Sequence, residues 1–372
     1  MKKLLPLCLF LAILSQVSAE PLTHITGRMY STGGPHAADG NSFASVLYNP
    51  AYFAFAEDQV LFSDTGIGFS GVNNQVKDLV QEGDYLGLIP LWEGTYLKAD
   101  VSGPINSGFI KNKAGFRVYN ELDLLSFTSN MVVSSAVRLN DQLVFQGGGG
   151  GRLPLPAAWK GEASWGVLGK FFIEWEYLYY EDILKFLYSL TEPSLFIDNP
   201  MNLKSGAGVD LGFLHVVSGR FSYGLTIHDA FTPYGDFIYS SLDDYGQSLG
   251  YSHTEFGMKP VNVSVGMKYS PDLFRNRKWI GPWDIFLDYR DIFNFAYDDP
   301  VNPVLNIGIG SELKMLRILD IRTGFHEGLL SFGTAVNLKF LKIGISFYGN
   351  ELTGEPGVYS VYTTKLNIEF HK

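Results

Sequence analysis

The sequence has very little cysteine. Its 372 residues include a single one, Cys8, which lies in an apolar N-terminal run. A lone cysteine excludes a framework of disulfides, and the chain beyond it offers no thiol for nucleophilic or redox chemistry. The fold must therefore be held by packing, hydrogen bonds and charge.

Long hydrophobic runs are also missing beyond the first twenty residues. The hydrophobic content is nevertheless 46%, and aromatic residues make up 15% of the chain. None of the apolar runs is long enough for a membrane-spanning helix, which needs about 20 residues. A lipid-embedded chain without such helices must close a β-barrel, because only closure pairs every backbone group in hydrocarbon.

Positive charge and recognisable active-site motifs are scarce as well. The formal net charge is -10, which argues against nucleic acid as a partner. The seven histidines have no metal-ligand spacing, and no Ser-His-acid arrangement stands out. The glycine run 147–151 lacks a following Gly-Lys-Ser/Thr, so we predict a flexible loop there rather than a phosphate site. The sequence predicts no catalytic residues, no metal and no cofactor.

The N-terminus has the three regions of a secretory signal peptide. Two lysines supply positive charge, 4–14 is apolar, and 17–19 provides small residues at a cleavage site. We predict a signal peptide over 1–19 and a mature chain from Glu20. A membrane anchor is the alternative, but the apolar run is too short to span a bilayer.

Period-2 alternation is the strongest pattern in the chain, and it is clearest in the C-terminal half. In 304–315, for example, Leu305, Ile307 and Ile309 lie opposite Asn306 and several glycines. Such segments indicate strands with one apolar and one polar face, each near ten residues as a tilted bilayer crossing requires. About fourteen strands are predicted: 59–70, 85–99, 113–127, 131–146, 166–178, 206–217, 219–229, 261–270, 283–290, 304–315, 317–325, 329–339, 341–349 and 359–370.

We therefore predict an all-β fold, an antiparallel transmembrane β-barrel of about fourteen strands formed by 59–372, in a bacterial outer membrane. A soluble sandwich would bury its apolar faces between two sheets, and the regular, aromatic apolar face disfavours it. If the first strand runs outward, long connections such as 179–205 and 230–260 face outside, and tight turns near Ser218 and Phe340 face the periplasm. Long outer loops and short periplasmic turns are the usual asymmetry.

Two segments do not fit the barrel wall. Residues 20–58 precede the first strand and are assigned as an N-terminal hatch. Within them, Ser42–Tyr48 is predicted as a short helix that Asn49-Pro50 ends. In 180–190, apolar residues recur at helical spacing, which predicts either a loop helix packed on the rim or an apolar surface for a hydrophobic ligand. On the second interpretation the ligand-binding candidates are Ile183, Leu184 and Leu187.

The polar face of the predicted barrel carries charges of both signs. His228 is expected beside Asp210 on the neighbouring strand, where a solvated lumen pair is the default interpretation and a proton-sensitive contact the alternative. Arg290 and Arg322 are further polar candidates of the lumen. Opposite charges on neighbouring strands favour internal pairing that holds a plug over an open, water-lined pore.

Several segments carry a family resemblance. The run FASVLYNPAYFA at 43–54 resembles the Asn-Pro-Ala segment of FadL-type outer-membrane proteins, which lies in their N-terminal hatch just before the first strand. The blocks GAGVDLG at 206–212, YGLTIHD at 223–229 and LDIRTGFH at 319–326 resemble the related PorV/TraF-like and spirochaetal branches. The hatch motif of this chain is then Asn49, Pro50 and Ala51.

The resemblance implies a fourteen-stranded barrel plugged by an N-terminal hatch. It also implies passive uptake of long-chain fatty acids or other hydrophobic small molecules, which bind outside, reach an internal pocket and leave sideways through the wall. The expected partners are such molecules and outer-membrane lipid, with the protein a monomer. Two alternatives stay open: a PorV-like binding or scaffold component for protein secretion or envelope assembly, and a general diffusion porin.

Overall fold

The computed structural model describes residues 24–71, 95–128, 134–156, 160–182, 200–246, 250–274, 279–296 and 300–372. No helix in these ranges is both long and apolar enough to cross a membrane. The strands, numbered in chain order, are β1 (Gln59–Ser70), β2 (Thr95–Lys111), β3 (Ala114–Thr128), β4 (Ser134–Leu153), β5 (Glu162–Asp182), β6 (Met201–Ser218), β7 (Phe221–Phe231), β8 (Pro233–Tyr239), β9 (His253–Met258), β10 (Asn262–Tyr269), β11 (Ile280–Tyr289), β12 (Ile307–Met315), β13 (Leu319–His326), β14 (Leu329–Asn337), β15 (Leu341–Glu351) and β16 (Ser360–His371).

These sixteen segments form one antiparallel sheet that closes on itself. Across the described ranges β1 pairs with β16, and β5 pairs with β6 to complete the ring. β8 continues β7 beyond Thr232, and both pair with β6. β9 and β10 form a single crossing in the same way, since they pair with β8 and β7. The barrel thus has fourteen crossings, which confirms the predicted fold class, and closure satisfies the backbone in hydrocarbon.

The outer surface of the barrel is apolar, and its side chains alternate with those of the lumen. On β15, Ile343, Ile345 and Phe347 are between 42% and 47% exposed, whereas Ser346 between the last two is buried. Exposed aliphatic and aromatic side chains recur in this way on strands around the wall. A belt of this kind suits a lipid environment and would aggregate in water.

The two ends of the barrel differ. We call the end at which β1 begins and β16 finishes the inner end, and the opposite one the outer end. Tight turns at Asn112-Lys113 and Leu316–Ile318 lie at the inner end. At the outer end the wall is uneven, because β4, β5 and β6 have 20, 21 and 18 residues, whereas β12 and β13 have 9 and 8.

Three expectations for the wall are wrong. Gly147–Gly151 is not a loop but part of β4, paired with β5. The second strand spans Thr95–Lys111 rather than 85–99, and 85–94 lies outside the described residues. The connection 230–260 contains β8 and β9, because the tall part of the wall needs partners for the outer half of β6.

Candidate functional site

Residues 24–56 lie inside the barrel and form a plug, and the exposed Glu57 and Asp58 lead into β1. The regular structure of the plug is α1 (Gly27–Ser31), α2 (Phe43–Tyr48) and the 3-10 helix Pro50–Ala54. The side chain of Ser42 accepts a hydrogen bond from the Ser45 N–H and begins α2, which ends before Asn49 as the sequence predicted. All six residues of α2 are buried, as expected of a segment enclosed by the wall.

Asn49 joins two parts of the plug to the wall. Its buried side chain accepts from the Ala51 N–H at 3.1 Å through Oδ1. Its Nδ2 donates to the carbonyl of Ala37 at 2.5 Å and to that of Phe213, on β6, at 3.3 Å. Pro50 follows as the first residue of the 3-10 helix, where its missing N–H costs nothing. The Asn-Pro-Ala motif is thus a structural joint between plug and wall.

Glycines on the lumen side of the wall leave room for the main chain of the plug. A Cβ on Gly166 would overlap the backbone of Pro50, and a Cβ on Gly310 would overlap the carbonyl of Thr32. Gly150 of the misassigned glycine run also faces the plug, since a Cβ there would lie 3.0 Å from the Pro50 carbonyl oxygen. These glycines are needed because the plug backbone lies closer to the wall than a side chain permits.

One side of the plug packs on β1, β2 and β5 through apolar side chains, a contact that we call the apolar seat. Burying such side chains stabilises the contact by about 1.5–3 kcal/mol each relative to exposure. The Ser164 hydroxyl adds a hydrogen bond to the Ala51 carbonyl at 2.9 Å. The buried side chains of the seat are Phe43, Val46, Leu47, Phe53, Leu61, Ile110 and Leu168.

On the opposite side, Arg28 of the plug joins a network of buried ion pairs on β12 and β13, which we call the charged seat. The Arg28 guanidinium lies 2.5 Å from carboxylate oxygens of both Asp39 and Glu312. Glu312 also accepts from Arg322 Nε at 2.8 Å, and Arg322 Nη2 reaches Asp320 at 2.9 Å. Burial alone would raise the pKa of Asp39, but the Arg28 guanidinium and the Lys268 ammonium together outweigh it and lower the pKa to about 2. The lumen candidate Arg322 therefore binds the same wall carboxylate, Glu312, that pairs with Arg28 of the plug.

The charged seat continues onto β11 through His36. Its Nδ1 lies 2.6 Å from Asp288 Oδ2, and its ring stacks on Phe286 with centroids 4.2 Å apart. The other oxygen of Asp288 accepts from the Ala37 N–H at 2.8 Å. Nearby, Asn41 Nδ2 donates to an Asp284 carboxylate oxygen at 2.7 Å. Each wall carboxylate here is matched to a donor of the plug.

The structure brings Asp210 and His228 together but buries them, so the solvated pair is wrong. His228 Nδ1 lies 3.5 Å from Asp210 Oδ2, and the two residues are 1% and 0% exposed. Lys170, which sequence reasoning missed, lies 2.8 Å from both Asp210 and Asp229. The only sequence signal for Lys170 was a lone charge within the otherwise uncharged stretch 163–173. The cluster meets the plug, because the His228 and Tyr48 ring centroids are 4.5 Å apart.

Arg290 and the three apolar ligand candidates have different outcomes. Arg290 follows β11 and donates from Nη1 to His326 Nδ1 at 2.8 Å, next to the plug rather than in an open lumen. Ile183, Leu184 and Leu187 lie outside the described residues, so their role stays a prediction.

Further toward the outer end, the lumen holds an apolar patch that the sequence did not indicate. We call it the lumen cluster: Tyr119, Val144 and Phe172 are fully buried, and Tyr234 packs against them. Lys259 Nζ lies 5.1 Å from the centre of the Phe172 ring. Phe172 directly follows the outward-facing Phe171, so two successive residues are apolar. The alternation of apolar and polar residues that would indicate the lumen face is therefore absent there.

The wall itself is interrupted between β1 and β2. The register passes from Leu61–Gly108 to Gly66–Ser102, and the residues between are unpaired in the ladder. Gly103 has a φ of 87°, and the following Pro104 has no N–H to donate. Asn106 Nδ2 bridges the gap by donating to the Asp64 carbonyl at 2.8 Å. Side-chain bonds thus replace the backbone ladder at this point.

Within the described ranges, no group of three or more His, Cys, Asp or Glu side chains is arranged to hold a metal ion. The arrangement combines a plug, two seats, a lumen cluster and a gap in the wall ladder.

Comparison with known proteins extends this description. Neither a protein-family model nor a curated protein sequence matches the chain. Among solved structures, the Ralstonia pickettii toluene transporter TbuX is 13% identical over 93% of this chain and 98% of its own, with a TM-score of 0.51. This is the FadL-type fold.

Two further structures with the FadL-type fold are similar to the chain. The Pseudomonas putida toluene transporter TodX is 12% identical over 95% of this chain and 99% of its own, with a TM-score of 0.45. The monoaromatic hydrocarbon channel CymD is 10% identical over 95% and 98%, with a TM-score of 0.48. At such identities the likeness shows the fold alone, and it is the TbuX comparison that supports the predicted plugged barrel.

Proposed function

We propose that the protein is an outer-membrane channel for passive uptake of hydrophobic small molecules, acting as a monomer without catalytic chemistry. The observation that carries the proposal is the plug, held on both sides of a closed barrel by the apolar and the charged seat. A water-filled pore suits polar solutes, whereas an apolar solute needs apolar contacts and an exit into lipid. The plug also argues against a general diffusion porin.

The lumen cluster is the proposed contact for the ligand. Its side chains are apolar and aromatic, whereas ion pairs such as Lys204–Glu176 at 3.1 Å lie around it. Binding sites for small apolar ligands are lined by aromatic and aliphatic groups with a few polar ones. Its place on the outer side of the plug suits a ligand that arrives from outside.

The proposed exit is the gap between β1 and β2. On its other side β1 pairs with β16 from Leu61 to Ser70 with a single one-residue shift between Leu61 and Ser63, so separating those strands breaks several backbone hydrogen bonds in hydrocarbon. At the gap, the Asn106 side chain is the bridge, and Gly103 and Pro104 weaken the strand further. An apolar solute that leaves here enters lipid directly.

Two substrate classes follow from different arguments. The FadL resemblance implies long-chain fatty acids, whereas TbuX and TodX are described as toluene transporters and CymD as a monoaromatic hydrocarbon channel. We propose that one of these classes is taken up, and the test below includes a member of each.

The test compares two adjacent phenylalanines. Phe172→Ala removes lumen apolar surface, whereas Phe171→Ala removes the same group from the lipid face. Uptake of radiolabelled oleate and of toluene is measured in cells, and heat-modifiable gel migration reports the folded fraction. We expect Phe172→Ala and Asn49→Ala to reduce uptake of one substrate per folded molecule, and Phe171→Ala to leave it unchanged.

Equal uptake by all variants and by cells without the protein would refute the proposal. If deletion leaves uptake intact and a stoichiometric secretion partner copurifies, the protein is a PorV-like component instead. Steady ion conductance of the native chain in planar bilayers would favour a diffusion porin.

A further inference from the structure

A separate apolar site lies on the outside of the barrel, at its inner end. The connection between β10 and β11 turns outward through the 3-10 turn Asp272–Phe274. Between this connection and the wall lies an open groove of about 500 Å³. The groove is lined by Tyr269, Pro271, Asp272, Leu273, Trp283 and Ile285.

The groove opens toward the lipid-facing surface and not toward the lumen. Tyr269 and Ile285 are direct cross-strand neighbours. They share a face with Val265 and Leu287, which belong to the exposed apolar belt. The inward residues of β11, by contrast, are buried against the plug. The groove is therefore continuous with the surface that contacts lipid.

The connection next to the groove extends the apolar surface of the wall past the ends of β10 and β11. The β10–β11 connection supplies apolar surface beyond the strand ends, with Leu273 71% exposed and Trp279 70% exposed. Tryptophan at such a level is typical of the interface between acyl chains and headgroups.

Two arginines lie in turns at the same end of the barrel as this apolar surface. Arg220, in the β6–β7 turn, pairs with Asp272 at the edge of the groove. Arg317 occupies the next turn along the wall, between the exposed Leu316 and Ile318. Basic side chains at the level of the headgroups attract lipid phosphate. The apolar lining matches the acyl chains of a phospholipid, and the arginines at the rim match its phosphate group.

We propose that the groove binds one phospholipid of the membrane leaflet at the inner end, with an acyl chain against Tyr269, Leu273 and Ile285 and the phosphate at the level of Arg220. This site is separate from the lumen and does not depend on the proposed uptake function.

The first experiment locates the groove relative to lipid. A Leu273→Cys variant in a Cys8→Ser background carries a fluorophore and is placed in nanodiscs of phosphatidylethanolamine and phosphatidylglycerol brominated on their acyl chains. We expect strong quenching by the bromolipids and little by aqueous iodide. A matched label at Lys113→Cys, in another inner-end turn, should show the reverse. Iodide quenching of both labels would overturn the proposal.

The second experiment asks whether a lipid is bound in the groove. The full chain is delipidated in detergent, supplied with phosphatidylglycerol and examined by native mass spectrometry. We expect one retained phospholipid, lost in Ile285→Trp, which fills the groove, and kept in Ile309→Trp, which enlarges an exposed residue of the belt on β12. Equal retention by both variants, retention of none, or a transported fatty acid in place of the phospholipid would contradict the site.

Discussion

The two seats of the plug reach the same degree of burial by different chemistry. The apolar seat encloses Phe53 and Leu168 against β1, β2 and β5, whereas the charged seat encloses Arg28 and Glu312 against β12 and β13. Packing contributes many small contacts that can be lost one at a time. A buried charge deprived of its partner instead costs several kcal/mol at once. The charged seat is therefore the side on which a single change should release the plug.

The largest effect is expected from Arg28→Met. The change leaves Asp39 and Glu312 buried without their shared guanidinium, which should cost about 3–5 kcal/mol of plug attachment. The expected result is ion conductance across planar bilayers in a barrel that remains folded. Arg152→Met is the control, because its pair with Glu162 is 55% and 52% exposed and is worth about 0–1 kcal/mol. Equal conductance in both variants would contradict the charged seat.

For Phe53→Ala, in the apolar seat, we expect a destabilisation of similar or slightly smaller size. The cavity left in the apolar seat should lower the free energy of unfolding by about 3–5 kcal/mol. Thermal unfolding followed by circular dichroism measures it, and conductance should rise less than in Arg28→Met because the ion pairs still hold the plug. Phe62→Ala, on the lipid face, should destabilise less, and the reverse order would show that the seat is not packed as described.

Replacing a wall glycine by alanine should test whether the plug backbone lies against the wall at that position. Gly310→Ala places a Cβ against the Thr32 carbonyl and should cost about 1–3 kcal/mol through strain in the plug. Faster tryptic cleavage at Arg28 reports the displacement. Gly169→Ala is matched, since its Cβ would meet only the Gly147 carbonyl oxygen at 3.6 Å. Identical digestion of the two variants would count against close contact at Gly310.

The smallest expected effect is a weakening of plug attachment that appears only at acidic pH. The pKa of Asp39 in the folded state, about 2, lies below an unfolded value near 4. Its contribution is therefore complete above about pH 4 and is lost as the pH falls toward 2, with a size of roughly 2 kcal/mol. Conductance recorded between these pH values should rise in the native chain. Asp39→Asn should weaken this acid dependence, with the remainder due to Glu312, which shares the Arg28 guanidinium. Phe53→Ala should retain the full dependence, and an unchanged profile in Asp39→Asn would refute the assignment.

The difference between the seats also explains which parts of the fold were predictable. Near the charged seat the lumen side chains are polar, so β12 and β15 show clean alternation and were located within a few residues. Near the apolar seat both faces of the wall are apolar, as Phe171 and Phe172 illustrate, and period-2 alternation disappears. This is why the lumen cluster was missed.

Local chemistry alone determined several features. The absence of spanning helices together with alternation required a closed barrel, and Ser42 and Asn49 bounded the short helix of the plug. These signals are local because capping and alternation act between near neighbours in the chain. The Asn-Pro-Ala motif was recognised, but its role as a joint to Ala37 and Phe213 was not.

Only the tertiary structure decided what the lumen residues do. Arg28 and Glu312 are 284 positions apart, and they meet because the barrel closes around the plug. The need for glycine at positions 150 and 310 is explained by the nearby backbone of Pro50 and Thr32. The sequence cannot indicate which atoms occupy the space that a side chain would fill. The physical reason is the same in each case: ion pairing and steric fit depend on distance in space, which sequence order does not specify.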